Sequence, residues 1–438
     1  MPSGKSEPCD NAWEVVFSGG VGLWLALALI KFGNPVILEQ QIQAPASREE
    51  FLVYPWPIAW GYALLVFVAL VCLKFWRWRA PVPRWLLIVP LVWLGWQFVS
   101  ATQTVDRSLT TATVKHFASC VATFYIGLFA LSRVSKLRLF WLGLVGGFLV
   151  VLIVGWKQHF GGLEETRRYF YNLPNWQSYP PELVRKISSN RIYATLFYPN
   201  TLAGVVLLLL PVSLVTVWQA GRASMPAVRL LAAGIIGVLG LGCLYWSGSK
   251  SGWLIAVGQT AVVLARSSLR KKVKMIILAS VLCGGLGIFW IKYQDYFGHG
   301  ATSVAARFDY WHAAWQTLVN KPLFGSGPGT FMVTYKALKS PEAEMTRLVH
   351  NDYLQQGSDS GWVGFLAFVT WIFGGYGLLY RRSSLDLWRF TIWIGLIGIV
   401  LQSLTEFGLY IPALSWPFFL LFGWLLGGAD PRIQMDKL

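Results

Sequence analysis

Long apolar runs separated by short polar segments recur along the whole chain. Most of these runs are about 17–21 residues long, which is the length that an α-helix needs to cross the hydrocarbon core of a bilayer. They predict a single all-α domain over residues 1–438, a polytopic membrane bundle of about 12 transmembrane helices. The predicted spans are 15–33, 57–75, 85–101, 113–131, 139–156, 201–219, 230–247, 252–265, 275–292, 359–379, 389–409 and 412–428.

The composition is typical of a protein embedded in lipid, because 55% of the residues are hydrophobic and only 13% are charged. The net charge of +17 would also suit a nucleic-acid partner, but the Lys and Arg residues mostly lie in the short connections between spans. With the N-terminus in the cytoplasm, the basic connections fall inside, as the positive-inside rule requires. We therefore expect both termini in the cytoplasm and no nucleic-acid partner. These connections are 74–84, 133–138, 222–229, 266–274 and 381–389.

Two long connections, 157–200 and 293–358, then lie on the extracytoplasmic side. In the second one, apolar residues at helical spacing predict an amphipathic helix lying against the membrane surface or the bundle. Thr302 and Ser303 can cap this helix, and the segment 320–322, Asn-Lys-Pro, would end it. Its apolar positions are Val304, Phe308, Trp311, Trp315 and Leu318. A further short helix is expected to begin near Met345. It would carry Arg347, His350 and Leu354 along one face.

Two glycine-rich segments could suggest nucleotide binding. The segment GSGPG at 325–329 does not follow a strand of a βαβ unit, and SGSKSG at 247–252 lacks the spacing of a phosphate-binding loop. We interpret both as tight turns at the membrane boundary.

Ionisable groups are rare near the predicted midplane of the bilayer and gather toward the outer ends of the spans. This distribution argues against an ion-coupled transporter, which usually needs polar or charged groups inside the membrane. Basic side chains at an outer interface suit a lipid phosphate or pyrophosphate, although snorkelling toward ordinary lipid head groups is the better explanation for any single lysine. The ionisable residues at the outer ends of the spans are Lys31, Lys115, His116, Lys157, Lys250, Lys292 and Glu406.

His350 lies in an outer loop beside Asn351, where an imidazole can act as a general base at neutral pH or can be structural. Glu406, near the outer end of a span, could pair with a cation or orient His350. The aspartates at 309, 352 and 359 show no ligand spacing, and the cysteines form no CxxC pair, so neither a metal site nor a disulfide framework is predicted.

Several segments together resemble the bacterial O-antigen ligase and O-antigen polymerase family, over roughly residues 190–380. ATLFYPNTLAG at 194–204 opens one span, and SGSKSG lies between two others. RFDYWHAAWQTLVNKPLFGSGPGTF at 307–331 then precedes HNDYLQQGSDSGWVGF at 350–365. The run from Arg to GxGPGTF followed by His-Asn-x-x-Leu is the specific part of the signature.

The resemblance implies a GT-C-like glycosyltransferase of the bacterial inner membrane, with its active site facing the periplasm. Such an enzyme moves a glycan from undecaprenyl pyrophosphate to an acceptor hydroxyl with inversion, without nucleotide, metal or other cofactor. The resemblance makes His350 the general base and Arg307 a catalytic and pyrophosphate-binding residue, with Lys250 and Arg191 as further pyrophosphate ligands. The family typically has Arg where this chain has Lys250, and Lys offers a point charge in place of a bidentate grip.

The leading hypothesis is a ligase that joins O-polysaccharide to lipid A core. An O-antigen or exopolysaccharide polymerase uses the same donor chemistry, and a protein O-oligosaccharyltransferase is a third enzymatic alternative. A non-enzymatic lipid-sugar flippase or exporter is the alternative from a different class.

Overall fold

The computed structural model describes residues 8–179, 184, 187–298, 302–341, 343–381 and 386–428, and within these ranges it contains helices and loops but no strand. The prediction of an all-α fold is therefore confirmed. The helices are α1 Pro8–Lys31, α2 Arg48–Val53, α3 Ile58–Cys72, α4 Arg84–Ala101, α5 Arg107–Tyr125, α6 Arg138–Lys157, α7 Leu163–Tyr171, α8 Pro199–Ala220, α9 Pro226–Ser247, α10 Lys250–Arg266, α11 Lys271–Gly298, α12 Thr302–Asn320, α13 Phe331–Leu338, α14 Asp352–Val369, α15 Gly375–Arg381, α16 Leu387–Gln402 and α17 Pro412–Gly427.

A helix lies at each of the twelve predicted spans, but not all of these helices are long enough to count as a crossing. Among the described residues, nine helical stretches are long and apolar enough to cross a membrane. The helices α16 and α17 are apolar but shorter, and α10 has 17 residues. The multi-pass membrane fold is supported, while the number of twelve crossings stays a prediction.

The basic connections and the long connections lie at opposite ends of the bundle. At one end, Arg133 Nη2 donates to the carbonyl of Arg79 over 2.5 Å, and the start of α1 meets the 133–138 connection through Glu14 and Ser135. At the other end of α1, the carbonyl of Gly33 accepts from the backbone N–H of Phe197 at 3.2 Å. The positive-inside rule requires such a segregation of the basic connections, and the assignment of their end to the cytoplasm stays a prediction. The end of the tail and Arg382 lie outside the described residues.

The predicted helix in the second long connection is confirmed as α12. Its Tyr310, Ala314 and Leu318 are buried, whereas Phe308 and Trp315 are exposed. The helix therefore packs on the bundle along a face that is rotated from the predicted one, and part of its apolar surface points outward.

The prediction of a helix that begins near Met345 is wrong. His350 has a φ of +55°, in the left-handed region that interrupts a helix, and α14 begins only at Asp352. Asn351 caps it, since its side-chain oxygen accepts from the backbone N–H groups of Tyr353 and Leu354 at 3.0 Å each. Arg347 and His350 consequently precede α14 and do not share a helix face with Leu354.

The predicted span 389–409 also ends early: α16 stops at Gln402, and residues 403–411 form a loop that contains a single 3-10 turn at Gly408–Tyr410. Short-range backbone bonds tighten the chain here, such as Thr405 N–H to the Gln402 carbonyl at 2.9 Å. Glu406 therefore belongs to a loop at the end of the bundle, where it can contact other segments.

The GSGPG segment forms the predicted turn and packs on a kink in α14. Backbone N–H groups of Ser326 and Gly327 donate to the carbonyls of Ser358 and Asp359, both at 2.9 Å. The N–H of Gly329 donates to the buried Asp359 carboxylate at 2.7 Å. This segment is thus part of the scaffold, and it fixes the long connection that leads to His350.

Candidate active site

The four predicted site residues are brought to one end of the bundle, around the carboxylate of Glu406. This residue is 7% exposed. Its Oε1 accepts from Arg307 Nη2 at 2.5 Å and from Asn200 Nδ2 at 2.6 Å, and its Oε2 lies 3.3 Å from His350 Nδ1. Of the two roles that the sequence left open for Glu406, the geometry supports both, because the carboxylate pairs with a cation and contacts the imidazole.

The charge of Glu406 is stabilised by its surroundings. Burial raises the pKa of this carboxyl, but the positive charge of Arg307 and the hydrogen bonds from His350 and Asn200 outweigh that effect, so the pKa lies below its ordinary value. Glu406 is therefore a carboxylate at neutral pH.

Arg307 is held in place by the loop after α16. Its Nη2 pairs with Glu406, and its Nε donates to the Thr405 carbonyl at 3.1 Å. The side chain is 18% exposed. Because the two bonds fix one edge of the guanidinium, the principal role that the geometry supports for Arg307 is to position Glu406.

His350 presents one edge of its ring to Glu406. Tyr310 stacks on the ring at a centroid distance of 5.8 Å, and Phe407 meets it edge-on at 4.7 Å. A neutral imidazole that donates from Nδ1 to a carboxylate keeps Nε2 as an acceptor. The His350 side chain is 24% exposed, and the described residues provide no hydrogen bond to Nε2, so this atom can accept a proton from a substrate.

The backbone of His350 is also unusual. A positive φ in a residue other than glycine costs free energy and persists only where the surroundings enforce it. Here the backbone N–H of Val349 donates to Gln355 at 2.7 Å, and that of Asp352 donates to the Ser403 carbonyl at 2.8 Å. The strained backbone is therefore locked from both sides, as is common at functional sites.

Arg191 and Lys250 meet at the turn between α9 and α10. Arg191 Nε donates to the Ser247 carbonyl at 2.7 Å, and Nη2 donates to Asn200 Oδ1 at 2.6 Å. Gly248 has a φ of +64°, and a Cβ at this position would lie 3.0 Å from Arg191 Nε. The glycine at 248 in the SGSKSG segment therefore leaves room for the guanidinium of Arg191 beside the turn.

The electrostatics of this turn favour an anion. Burial lowers the pKa of Arg191, and the negative charge of Glu406 opposes that effect. Burial, followed by the charges of Arg191 and Arg307, lowers the pKa of the Lys250 ammonium to about 8. An anion bound here would relieve the repulsion between these cations.

The sequence did not reveal how Asn200 and Glu406 take part in the site. Asn200 connects Arg191 to Glu406 through its two amide atoms, yet it appeared in the sequence only as part of the Tyr-Pro-Asn segment. A usable signal for Glu406 is that it is the single acid between Leu387 and Gly428, in an otherwise apolar stretch.

Among the described residues, no group of three or more His, Cys, Asp and Glu side chains could hold a metal ion. Asp352 and Asp359 are buried and bonded elsewhere, to Ser403 Oγ at 2.8 Å and to Tyr410 Oη at 2.6 Å. Arg307 donates to Glu406, and the cations Arg191 and Lys250 lie nearby, so the site suits an anion better than a metal cation.

Comparison of the chain with curated proteins gives no match. A family model described as O-antigen ligase matches residues 235–369. The matched segment contains Lys250, Arg307 and His350, while Arg191, Asn200 and Glu406 join the site from outside it. The family resemblance found in the sequence is confirmed by this match to the O-antigen ligase family over residues 235–369.

Proposed function

We propose that this protein is an inverting glycosyltransferase of the bacterial inner membrane that transfers a glycan from undecaprenyl pyrophosphate to an acceptor hydroxyl on the periplasmic face. The favoured reaction is that of an O-antigen ligase with lipid A core as the acceptor. The observation that carries the proposal is the pair formed by His350 and Glu406 beside the cations Arg191 and Lys250. A base and an anion site next to each other are what this substitution needs.

In the proposed reaction, Nε2 of His350 takes the proton of the acceptor hydroxyl while the hydroxyl oxygen attacks the anomeric carbon of the donor glycan. The bond between that carbon and the pyrophosphate oxygen breaks, and the oxygen leaves with the electron pair. Attack from the face opposite the leaving group inverts the configuration. Glu406 stabilises the imidazolium that forms, as a buried carboxylate does in a catalytic triad.

Arg191 and Lys250 stabilise the charge that grows on the leaving pyrophosphate. Such preorganised donors act most strongly where water is partly excluded, and both side chains are half-buried. Arg307 contributes by holding Glu406. This refines the expectation from the family, in which Arg307 was also a pyrophosphate ligand.

Transfer by the purified protein in liposomes tests the proposal. The liposomes contain undecaprenyl-pyrophosphate glycan, with or without lipid A core, and mass spectrometry identifies the products. Glycan on the core, absent with His350→Ala, supports the ligase. Longer lipid-linked chains without core would indicate a polymerase, and glycan on an added protein acceptor an oligosaccharyltransferase. Movement of the donor across the bilayer without any transfer would indicate the flippase or exporter and refute the enzyme.

A further inference from the structure

Lys292, near the end of α11, lies beside the cations of the candidate active site. Its Nζ is 5.6 Å from the centre of the Tyr293 ring, and Lys250 Nζ is 5.1 Å from the same centre. One tyrosine ring is thus next to both ammonium groups. Arg191 and Lys250 are close enough for their charges to act on Lys292.

Lys292 is also attached to the turn that holds Arg191. Its Nζ donates to the backbone carbonyl of Tyr245 and lies 3.4 Å from the centre of the Tyr245 ring. Arg191 donates to the Ser247 carbonyl, two residues further along α9. Two cations therefore bind the carboxyl end of one helix, and the third, Lys250, begins the next helix.

An ammonium has three donors, and the Tyr245 carbonyl takes one of those of Lys292. Bringing three cations together in a half-buried site costs free energy unless an anion compensates for them. The carboxylate of Glu406 is bonded to Arg307, Asn200 and His350, which lie outside this cluster. A group with two phosphates presents more negative charge and more acceptor oxygens than a monophosphate does, so it matches this cluster better.

We propose that Lys292 is a further donor-binding residue, which forms with Arg191 and Lys250 a three-cation site that selects a pyrophosphate over a monophosphate. This inference rests on the proposed function, and it deepens that function by naming the residue that distinguishes the charged donor from the lipid monophosphate. The competing explanation is that Lys292 only caps the carboxyl end of α9, where a cation is favourable in any case.

Binding of farnesyl pyrophosphate and farnesyl monophosphate to the purified full chain in nanodiscs tests this inference. Lys292→Met removes the charge. Lys292→Gln also removes it but keeps an N–H donor for the Tyr245 carbonyl, so it serves if the methionine variant does not fold. Lys292→Arg restores the charge, and Lys336→Met, which changes an exposed lysine of α13, is the matched control.

We expect the neutral variants to bind the pyrophosphate roughly tenfold to a hundredfold more weakly, the usual effect of losing one charge-assisted bond. Monophosphate affinity should change by less than about threefold. Lys292→Arg should retain the selectivity, and Lys336→Met should behave as wild type. Inorganic pyrophosphate should compete with the lipid in the wild type, because the head group is what the site recognises.

An unchanged ratio of the two affinities in Lys292→Gln would overturn the inference. A lower thermal stability without loss of selectivity would overturn it too, and would assign Lys292 to helix capping. Transfer is measured in the same nanodiscs. Normal transfer together with unchanged selectivity would refute only the role of Lys292, whereas selective binding without any transfer would refute only the proposed function.

Discussion

The carboxylate of Glu406 offers the sharpest test of how the base is activated. Glu406→Gln keeps the shape of the side chain but removes the charge, because its amide oxygen can still accept from Arg307 and Asn200 while its NH2 group takes the place of Oε2 beside His350. When His350 accepts a proton it becomes a cation, with Oε2 of Glu406 3.3 Å from Nδ1. The variant loses that stabilisation.

The magnitude follows from Coulomb's law. Two unit charges about 4 Å apart interact by roughly 4 kcal/mol at an effective dielectric constant of about 20. That corresponds to a rate factor of about a thousand. Because the His350 side chain is 24% exposed, water screens part of this interaction. We therefore expect kcat to fall about a hundredfold.

Donor affinity should respond in the opposite sense. The charge of Glu406 partly offsets the cations, since it acts on both Arg191 and Lys250. Removing it leaves the anion site more positive, so donor binding in Glu406→Gln should be unchanged or tighter. This split between catalysis and binding distinguishes loss of base activation from general collapse of the site.

The assay is transfer of labelled glycan in proteoliposomes, with donor affinity measured separately on the same preparations. Glu164→Gln is the control, because Glu164 is an exposed acid in a surface pair with Arg167 at 3.2 Å. A folded Glu406→Gln variant with kcat within threefold of wild type would refute the reasoning. Weaker donor binding with unchanged kcat would contradict it as well, by placing Glu406 in the binding of the donor.

Three further predictions concern the base, the anion site and the scaffold. His350→Gln should lower transfer by about a hundredfold or more while donor affinity stays within threefold, as separate rate and binding measurements will show. The ammonium of Lys250 loses its proton above a pKa of about 8, so donor affinity should be constant below that pH and decline above it. Lys250→Arg should reduce the decline in a titration from about pH 6.5 to 9.5, and Lys250→Arg combined with Lys292→Arg should remove it, since arginine stays charged. Gly361→Ala should destabilise the protein by about 2 kcal/mol or more in thermal unfolding, because φ is +68° and the new Cβ would overlap the backbone of residues 322–323. Gly377→Ala, which meets nothing within 4 Å, should be neutral or slightly stabilising.

The parts of the fold that sequence could predict are those governed by local rules. A bilayer requires about 20 apolar residues for each crossing helix, so hydropathy places the helices. The 3.6-residue period likewise predicted the helix from Thr302 to Asn320. The predictions that were wrong concern segments whose backbone conformation is determined by tertiary contacts. The left-handed conformation of His350 delays α14 until Asp352, and no periodic pattern reports such a residue.

The candidate site shows the same division. Sequence motifs indicated which residues to consider, but they did not distinguish a residue that binds substrate from one that holds its neighbour. Arg307 and Glu406 are 99 positions apart and form an ion pair inside the protein. The carboxylate of Glu406 therefore neutralises much of the charge of Arg307. The charge of Glu406 also acts on Arg191 and Lys250, which lie at the turn between α9 and α10. Because a charge that the protein already neutralises attracts a substrate anion weakly, Arg307 should contribute little to donor binding and should matter mainly through the base.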